Sequence, residues 1–407
     1  MVSGLKAGIR ALGFAALIGL AGGAGSAWAQ KSYGPGVSDR EIRIGQTAPY
    51  SGPLSTFATQ AKAQAAYFRM INERGGINGR RINLISVDDG FSPPKAVEQA
   101  RRLVEQEEVL LLFAPFGTPT NAAMQRYLNQ KGVPAIFLAS GATRWDDPKG
   151  APWSMGFSPN VKSEGAIYAR YILQNVPDPK IGILFQNDDF GKDFVAGVKR
   201  VLGERASKLI VKEVSYEPTD PTIDSQLVSL SGAGANVFLN VTGPKFAALA
   251  IRRAAEIGWK PMQFLSSSAS SVAAVLVPAG VENAVGAMTS IYLKDVNDPQ
   301  WAGDPGVRDY LEFMKKYYPD GEPKDWSNVY AVTVAAAFVH VLKQAGDRLT
   351  RENVMKQAAS LKDLEQPLLL PGIRLNTSAT DFAPVSQQQM TRFDGRSWVR
   401  FGDIISE

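Results

Sequence analysis

Two stretches decide the fold: Val109-Leu-Leu-Leu-Phe-Ala-Pro-Phe-Gly-Thr118 and Val133-Pro-Ala-Ile-Phe-Leu-Ala-Ser-Gly-Ala-Thr143. The first opens with five apolar residues, Val109 to Phe113, the composition of a strand covered on both faces in a parallel sheet. It runs into Pro115-Phe-Gly-Thr118, and a helical pattern then holds from about Thr120 to Gln130. Gly132 stops that helix, Val133–Leu138 reads as the next strand, and Ala139-Ser-Gly-Ala-Thr143 ends it. Two parallel strands therefore release two loops of small residues at one edge of one sheet. In open α/β sheets ligands sit just beyond the carboxyl ends of the strands. Gly, Ser, Thr and Ala let the backbone come close to a ligand and supply N–H and hydroxyl donors. Such loops also serve as ordinary βα turns. Read as a site, they suit an anion, and a small carboxylate above all.

Working outward, Met1–Ala29 has the form of a secretory signal: Lys6 and Arg10, an apolar run from Ala11 to Leu20, then Ala27-Trp-Ala29 as a small-x-small cleavage site. The apolar run is short for a membrane span. The chain has no Cys, which speaks against a lipid anchor on cysteine and means an exported fold without disulfides, as a core of this size allows. The formal charge of +5 falls to +3 once Lys6 and Arg10 are gone, because residues 1–29 hold no Asp or Glu. That is too mild, and the basic residues too scattered, for nucleic acid to be a partner. The 407 residues suggest two domains after the leader.

Strand and helix patterns alternate along most of the chain. Strand Ile42–Thr47 leads through Pro49-Tyr-Ser-Gly-Pro53 to a helix from about Phe57 to Arg74, with Ala61, Ala65, Phe68 and Ile71 at helical spacing. Gly75-Gly-Ile-Asn-Gly79 ends it. Strand Ile82–Asp88 follows, then a helix opened by Ser92 as N-cap and Pro93. With 109–143 this makes four strands and three helices, the pattern of a parallel sheet with helices on both faces. A second run repeats the plan: helix 161–175, strand 180–185, helix 190–202, strand 209–214, helix 223–230, strand 236–239, helix 244–257 and strand 262–265. The last third is less regular. It gives a strand over 285–293, helices over 304–317, 325–344 and 351–360, and short strands near 368–375, 387–393 and 398–401. The helix from Asp325 is apolar nearly all round and so is predicted to be buried. The fold class is α/β, with two Rossmann-like lobes whose parallel sheets are joined by a multi-segment hinge. The first lobe comprises 30–160 plus 292–362 and the second 161–291 plus 363–407, with crossings near 158–162, 288–294 and 361–368.

Catalytic chemistry finds little purchase. The only His is His340, on the apolar helix, where a core histidine is expected; with no Cys, transition-metal sites and His-based triads are nearly excluded. Ser92-Pro-Pro-Lys95 has Ser-x-x-Lys spacing but reads as a helix cap. Gly75–Gly79 follows a helix and precedes a strand, the reverse of a phosphate loop. Asp88-Asp89 and Asp188-Asp189 read as solvated loop stabilisers, the second pair lying beside a candidate site residue. No enzyme, no metal and no cofactor is expected.

Ile42-Arg-Ile-Gly-Gln-Thr-Ala-Pro-Tyr-Ser-Gly-Pro53, Ile71-Asn-Glu-Arg-Gly-Gly-Ile-Asn-Gly79, Ala139-Ser-Gly-Ala-Thr143 and Gln186-Asn-Asp-Asp-Phe-Gly191 occur in an order and spacing similar to one family. With them the sequence resembles the type I periplasmic solute-binding proteins of the branched-chain amino-acid class, which serve ATP-binding-cassette importers, over nearly all of the mature chain. The resemblance implies a periplasmic protein, expected here to be a monomer, that takes a small-molecule ligand and docks on a membrane permease. It implies a ligand carboxylate at Gly117 and Thr118 and at Gly141 and Thr143, the loop of the latter pair including Ser140 and Ala142. It also implies an aromatic cover from Phe57 and, across the cleft, from Phe190 before Gly191. Tyr50 and Phe116 join the candidates because each flanks a loop at the mouth.

One departure matters. Amino-acid-binding members carry an acid after a strand such as Met262–Leu265 to hold the ligand ammonium. Here Ser266-Ser-Ser-Ala269 stands instead, with Ser268 the nearest match. Burying an unpaired ammonium costs several kcal/mol, a large part of a micromolar binding energy of about 8 kcal/mol. A carboxylate ligand without an α-ammonium, aromatic or short aliphatic, is therefore favoured over a branched-chain amino acid, unless Asp188 or Asp189 restores the charge. Arg144 reads as a solvent-exposed side chain or as a partner for the acid. Two further readings stand beside this one: a ligand-sensing subunit of a signalling system, and a secreted hydrolase using a serine of Ser266–Ser271.

Overall fold

The computed structural model describes Met1 and residues 31–406; the predicted leader falls on residues outside that set. The first lobe is built from β1 (Ser32–Tyr33), β2 (Glu41–Ala48), α1 (Ala58–Glu73), β3 (Arg81–Asp88), α2 (Pro93–Glu105), β4 (Leu112–Phe113), α3 (Thr118–Lys131), β5 (Ala135–Leu138) and β6 (Ser154–Gly156). Its main sheet has the order β3-β2-β4-β5-β6, every pair parallel. The order reverses direction between β2 and β4, the switch point at which such sheets open a crevice. The fifth strand, β6, was invisible in the sequence, since three residues near Pro148 and Pro152 show no periodicity. The expected strand 109–113 is regular only at Leu112–Phe113, because Glu108 and Ala114 on either side take φ of +51° and +45°. Its ladder still reaches both neighbours, with Leu110 N–H on the Arg43 carbonyl and Ala114 N–H on that of Ile136, each at 2.9 Å.

The second lobe follows as α4 (Val161–Asn175), β7 (Ile181–Gln186), α5 (Asp189–Leu202), α6 (Ala206–Leu209), β8 (Ile210–Tyr216), α7 (Asp224–Gly232), β9 (Val237–Val241), α8 (Pro244–Glu256), β10 (Met262–Leu265), α9 (Val277–Ala279) and β11 (Met288–Ile291). The order β8-β7-β9-β10-β11 repeats that of the first sheet, again all parallel. Apolar runs explain it: Ile181, Ile183, Val237, Leu239 and Phe264 are buried against α4 and α5, while Leu184 and Phe238 face α7 and α8 on the other side. The turns between β10 and β11, including Ser267–Ala269, had no sequence prediction.

The chain then returns. α10 (Pro305–Tyr317), α11 (Trp326–Ala345), β12 (Arg348–Leu349) and α12 (Arg351–Ala358) pack on the first lobe, with β12 paired to β1. Phe338 of α11 lies 4.6 Å, centroid to centroid, from Phe113 of β4 and joins Ile42 and Phe68 in one core. β13 (Gln387–Phe393) and β14 (Trp398–Ser406) add antiparallel to β11 and extend the second sheet. Where strands were expected near 368–375 there are only isolated bridges, Leu293 with Leu369 and Leu364 with Leu375. Leu361, Leu368, Leu375, Phe382 and Val385 are buried in the core of the first lobe, so the third crossing falls just before Gln387 rather than at 361–368. His340 is half-buried on α11 and not in the core; burial and the Lys343 charge lower its pKa. Ser92 holds the N-cap position of α2, but its side chain accepts no cap hydrogen bond; Pro94 removes the N–H of the second helical position, and that of Lys95 is not engaged by Ser92.

Candidate functional site

Both sheets aim the carboxyl ends of their strands at one cavity of about 90 Å³. Leu54 and Phe57 reach it from beyond β2, Phe91 from beyond β3, Phe116, Gly117 and Thr118 from beyond β4, and Ala139, Ser140 and Gly141 from beyond β5. Opposite stand Gln186 at the end of β7, Phe190 in the first turn of α5, Gly243 after β9, and Ser267 and Ser268 after β10. The crossings contribute Ser158, Pro159 and Tyr292, and α11 contributes Trp326 and Tyr330. No Asp, Glu, Lys, Arg or His is among the residues that line it.

The two small-residue loops do lie side by side. Thr118 Oγ1 is 2.7 Å from Ser140 Oγ, and both side chains are buried. Ser140 Oγ accepts the Trp145 indole N–H at 2.8 Å and the Ala142 N–H at 3.3 Å. A hydroxyl has two acceptor lone pairs and one proton. With both lone pairs taken, Ser140 gives its proton to Thr118, and the Thr118 proton is left to point at a ligand. The Thr118 N–H lies in the first turn of α3, where helix N–H groups have no intrahelical partner and the dipole favours negative charge. Gly117 makes this approach possible. Its φ is +96°, and a Cβ there would meet the Phe91 ring at 2.5 Å and Thr120 Oγ1 at 2.8 Å. Just upstream, Phe137 has φ of +59° at a register shift in β5, a bulge that re-aims the chain before Ala139.

Phe57 and Phe116 form an aromatic wall, with centroids 4.6 Å apart, and Phe91 lies 6.1 Å from Phe116. Of the sequence candidates, Phe57, Phe116, Gly117, Thr118, Ser140, Gly141, Phe190 and Ser268 meet in this cavity. Tyr50, Ala142 and Thr143 stand outside its walls. The Tyr50 hydroxyl bonds Ser86 at 2.8 Å, Ala142 is buried in the core under α3, and the Thr143 N–H donates to Asp193 of α5 at 2.8 Å. The sequence reading missed Leu54, Gln60, Phe91, Gln186 and the residues of the crossings. Gln186 alone carried a signal, since it directly follows the predicted strand 180–185 and opens the stretch Gln186–Gly191 that holds Phe190.

Acidic residues near the cavity are committed elsewhere. Asp188 caps its own helix, accepting the Gly191 N–H at 3.2 Å and the Gln186 amide at 2.6 Å; burial raises its pKa to about 6. Asp189 pairs with Arg144 of the first lobe at 2.9 Å, so this arginine is exposed but partnered. Glu164 is fully buried behind Ser267, accepting its N–H at 2.7 Å, its hydroxyl at 3.0 Å and the Tyr168 hydroxyl at 2.8 Å. Asp88 fits the loop-stabilising expectation, holding Ser51 and Lys95, whereas Asp89 is wholly buried and accepts the Phe91 N–H at 2.8 Å. Among the described residues no group of His, Asp and Glu is placed to hold a metal ion, and no helix is long and apolar enough to cross a membrane.

Two lobes of repeated topology around an uncharged cleft define a solute-binding protein. The family model described as "Periplasmic binding protein" matches residues 41–396, and the chain belongs to that family. Its members bind solutes and are not enzymes, which removes the hydrolase reading. The chain is 24% identical over 344 residues to a Leu/Ile/Val-binding protein homolog 7 of Brucella abortus, covering 82% of this chain and 84% of the relative. A branched-chain amino acid ABC transporter protein from Thermus thermophilus with bound valine superposes with a TM-score of 0.81 at 16% identity, over 91% of this chain and 98% of that one. A fatty acid ABC transporter substrate-binding protein from Thermomonospora curvata gives 0.77 at 21% identity, over 93% and 95%. These likenesses establish the type I periplasmic binding protein fold.

Proposed function

We propose that this protein is the solute-binding component of an ABC importer and captures a small carboxylate without an α-ammonium in the cleft between its lobes. The observation that carries the reading is the lining: a free Thr118 hydroxyl proton and helix N–H groups on one wall, and no acid on any wall. A carboxylate finds charge-assisted hydrogen bonds there, each contributing about 1.5–3 kcal/mol. An ammonium would find neutral oxygens but no carboxylate on the lining, on the second lobe only those of Ser267, Ser268 and Gln186, and burying it without a counter-charge costs several kcal/mol. The relatives bracket the choice, since one solved neighbour holds valine and another is named for a fatty acid. The cavity is smaller than the roughly 150 Å³ pocket that admits benzene. That favours short aliphatic acids, with ring-bearing ones requiring a wider opening of the lobes.

In this mechanism ligand first meets the loops of the first lobe. The second lobe then swings over and adds Phe190, Gln186 and Ser268. Closure is favoured because the ligand touches both lobes only in that state. The lobes turn about crossings near 160, near 292 and before Gln387, and the closed monomer docks on a membrane permease after export and cleavage near Ala29. The test is calorimetric titration with leucine and with 4-methylpentanoate, which is leucine without its ammonium. The acid is expected to bind more tightly. Tight leucine binding with no heat from the acid would overturn the ligand class.

A further inference from the structure

The wall of the cavity at the crossings carries polarity that a plain aliphatic acid leaves unused. Tyr292 lines the cavity, is 1% exposed, and its hydroxyl has no hydrogen-bond partner within 3.5 Å among the described residues, Ser158 being the polar side chain that faces it from beyond that reach. Ser158 faces that hydroxyl but turns its own proton to Tyr330 Oη at 3.4 Å. Burial raises the Tyr292 pKa, so the phenol keeps its proton and is a donor. The ring is held in place: Trp326 meets it edge-on at 6.3 Å and stacks on Tyr330 at 5.3 Å. A buried donor left unpaired costs about as much as a lost hydrogen bond returns, so an apolar ligand tail against it is disfavoured.

We propose that Tyr292 selects ligands bearing, besides the carboxylate, a second, uncharged oxygen acceptor: a ketone, hydroxyl or ether oxygen on the chain. A second carboxylate is disfavoured, because no cation lines the cavity and the charge would be buried without a partner. This inference rests on the acid reading above and narrows it. The test uses a series in which one oxygen is moved along a short acid: 3-oxo-, 4-oxo- and 5-oxohexanoate, and 4-oxopentanoate against its near-isostere 4-methylpentanoate. At least one oxo acid is expected to bind on the order of tenfold more tightly than its oxygen-free counterpart. Tyr292→Phe, which keeps the ring, is expected to erase that preference without lowering the melting temperature. Thr118→Val should weaken oxo and plain acids alike. If all acids bind but none of the oxo forms is preferred, or if the preference survives Tyr292→Phe, this inference is overturned and the acid reading stands. If no acid binds while leucine does, both fall.

Discussion

Thr118 Oγ1 sits 2.7 Å from Ser140 Oγ, and this contact ties the loop after β4 to the loop after β5 at the rim of one sheet. Ser140, whose lone pairs are taken, donates this hydrogen bond, which leaves the hydroxyl proton of Thr118 free to face the cleft. Removing the threonine hydroxyl while keeping its shape should therefore cost binding, and also some stability, because the buried Ser140 proton loses its acceptor. Thr118→Val is expected to weaken ligand affinity by about 1–3 kcal/mol, the penalty of a lost partner to a charged group. Calorimetric titration gives the affinity, and a thermal melt of the free protein checks that the fold holds. Unchanged affinity would remove Thr118 from the site.

Gly117 is the most sterically constrained position of the cleft. Gly117→Ala places a methyl 2.5 Å from the Phe91 ring on a backbone with φ of +96°. Strain of about 1–3 kcal/mol is expected from the backbone alone, and the displaced Phe91 disturbs the wall it forms with Phe116. Both melting temperature and affinity should fall. A variant with wild-type values in both measurements would show that the loop relaxes freely.

Arg144 and Asp189 join the two lobes at 2.9 Å with side chains 39% and 51% exposed. An ion pair this wet is worth no more than about 1 kcal/mol. Since it bridges lobes, Asp189→Asn is expected to loosen closure, weakening ligand affinity by up to about fivefold at low salt. The difference should vanish at about 1 M salt, where screening is complete within a few ångströms. A salt-independent loss would assign Asp189 a role other than this pair.

Buried carboxyls make stability depend on pH. Burial raises Asp146 and Glu164 to about 7 and Asp89 and Asp188 to about 6. Between about pH 4 and 7 the folded chain therefore binds protons that unfolded carboxyls have lost, and stability falls as pH rises through this window. Asp88 acts oppositely: desolvation pushes it up, but Lys95 and Ser51 outweigh that and hold it below the usual carboxylate range, so its contribution is lost under acid conditions. Melting temperature is expected to drop between pH 5 and pH 8. Asp146→Asn keeps an oxygen for the Asn160 amide, now at 2.6 Å, and should raise the melting temperature at pH 8 by about 1–2 °C per kcal/mol regained. A variant as pH-dependent as the wild type would clear Asp146 of the effect.

Alternation of apolar strands with amphipathic helices determined the α/β class and the repeated lobe plan, because hydrophobic period is a local property of the chain. The loops Phe116–Thr118 and Ser140–Gly141 were legible for the same reason: small residues just past a strand mark a place where backbone meets ligand. Tyr292, Trp326 and Tyr330 were not legible. They reach the cavity only because the chain crosses between lobes and returns, and no local pattern records which side chain a crossing turns inward. The fates of Thr143, Asp188 and Asp189 were likewise decided by tertiary structure, since each is claimed by a neighbour across the cleft or in its own helix cap. Sequence thus determined which loops line the cleft between the lobes, through the chemistry of single loops. Folding alone decided its polarity, because that depends on which charged groups find partners before a ligand arrives.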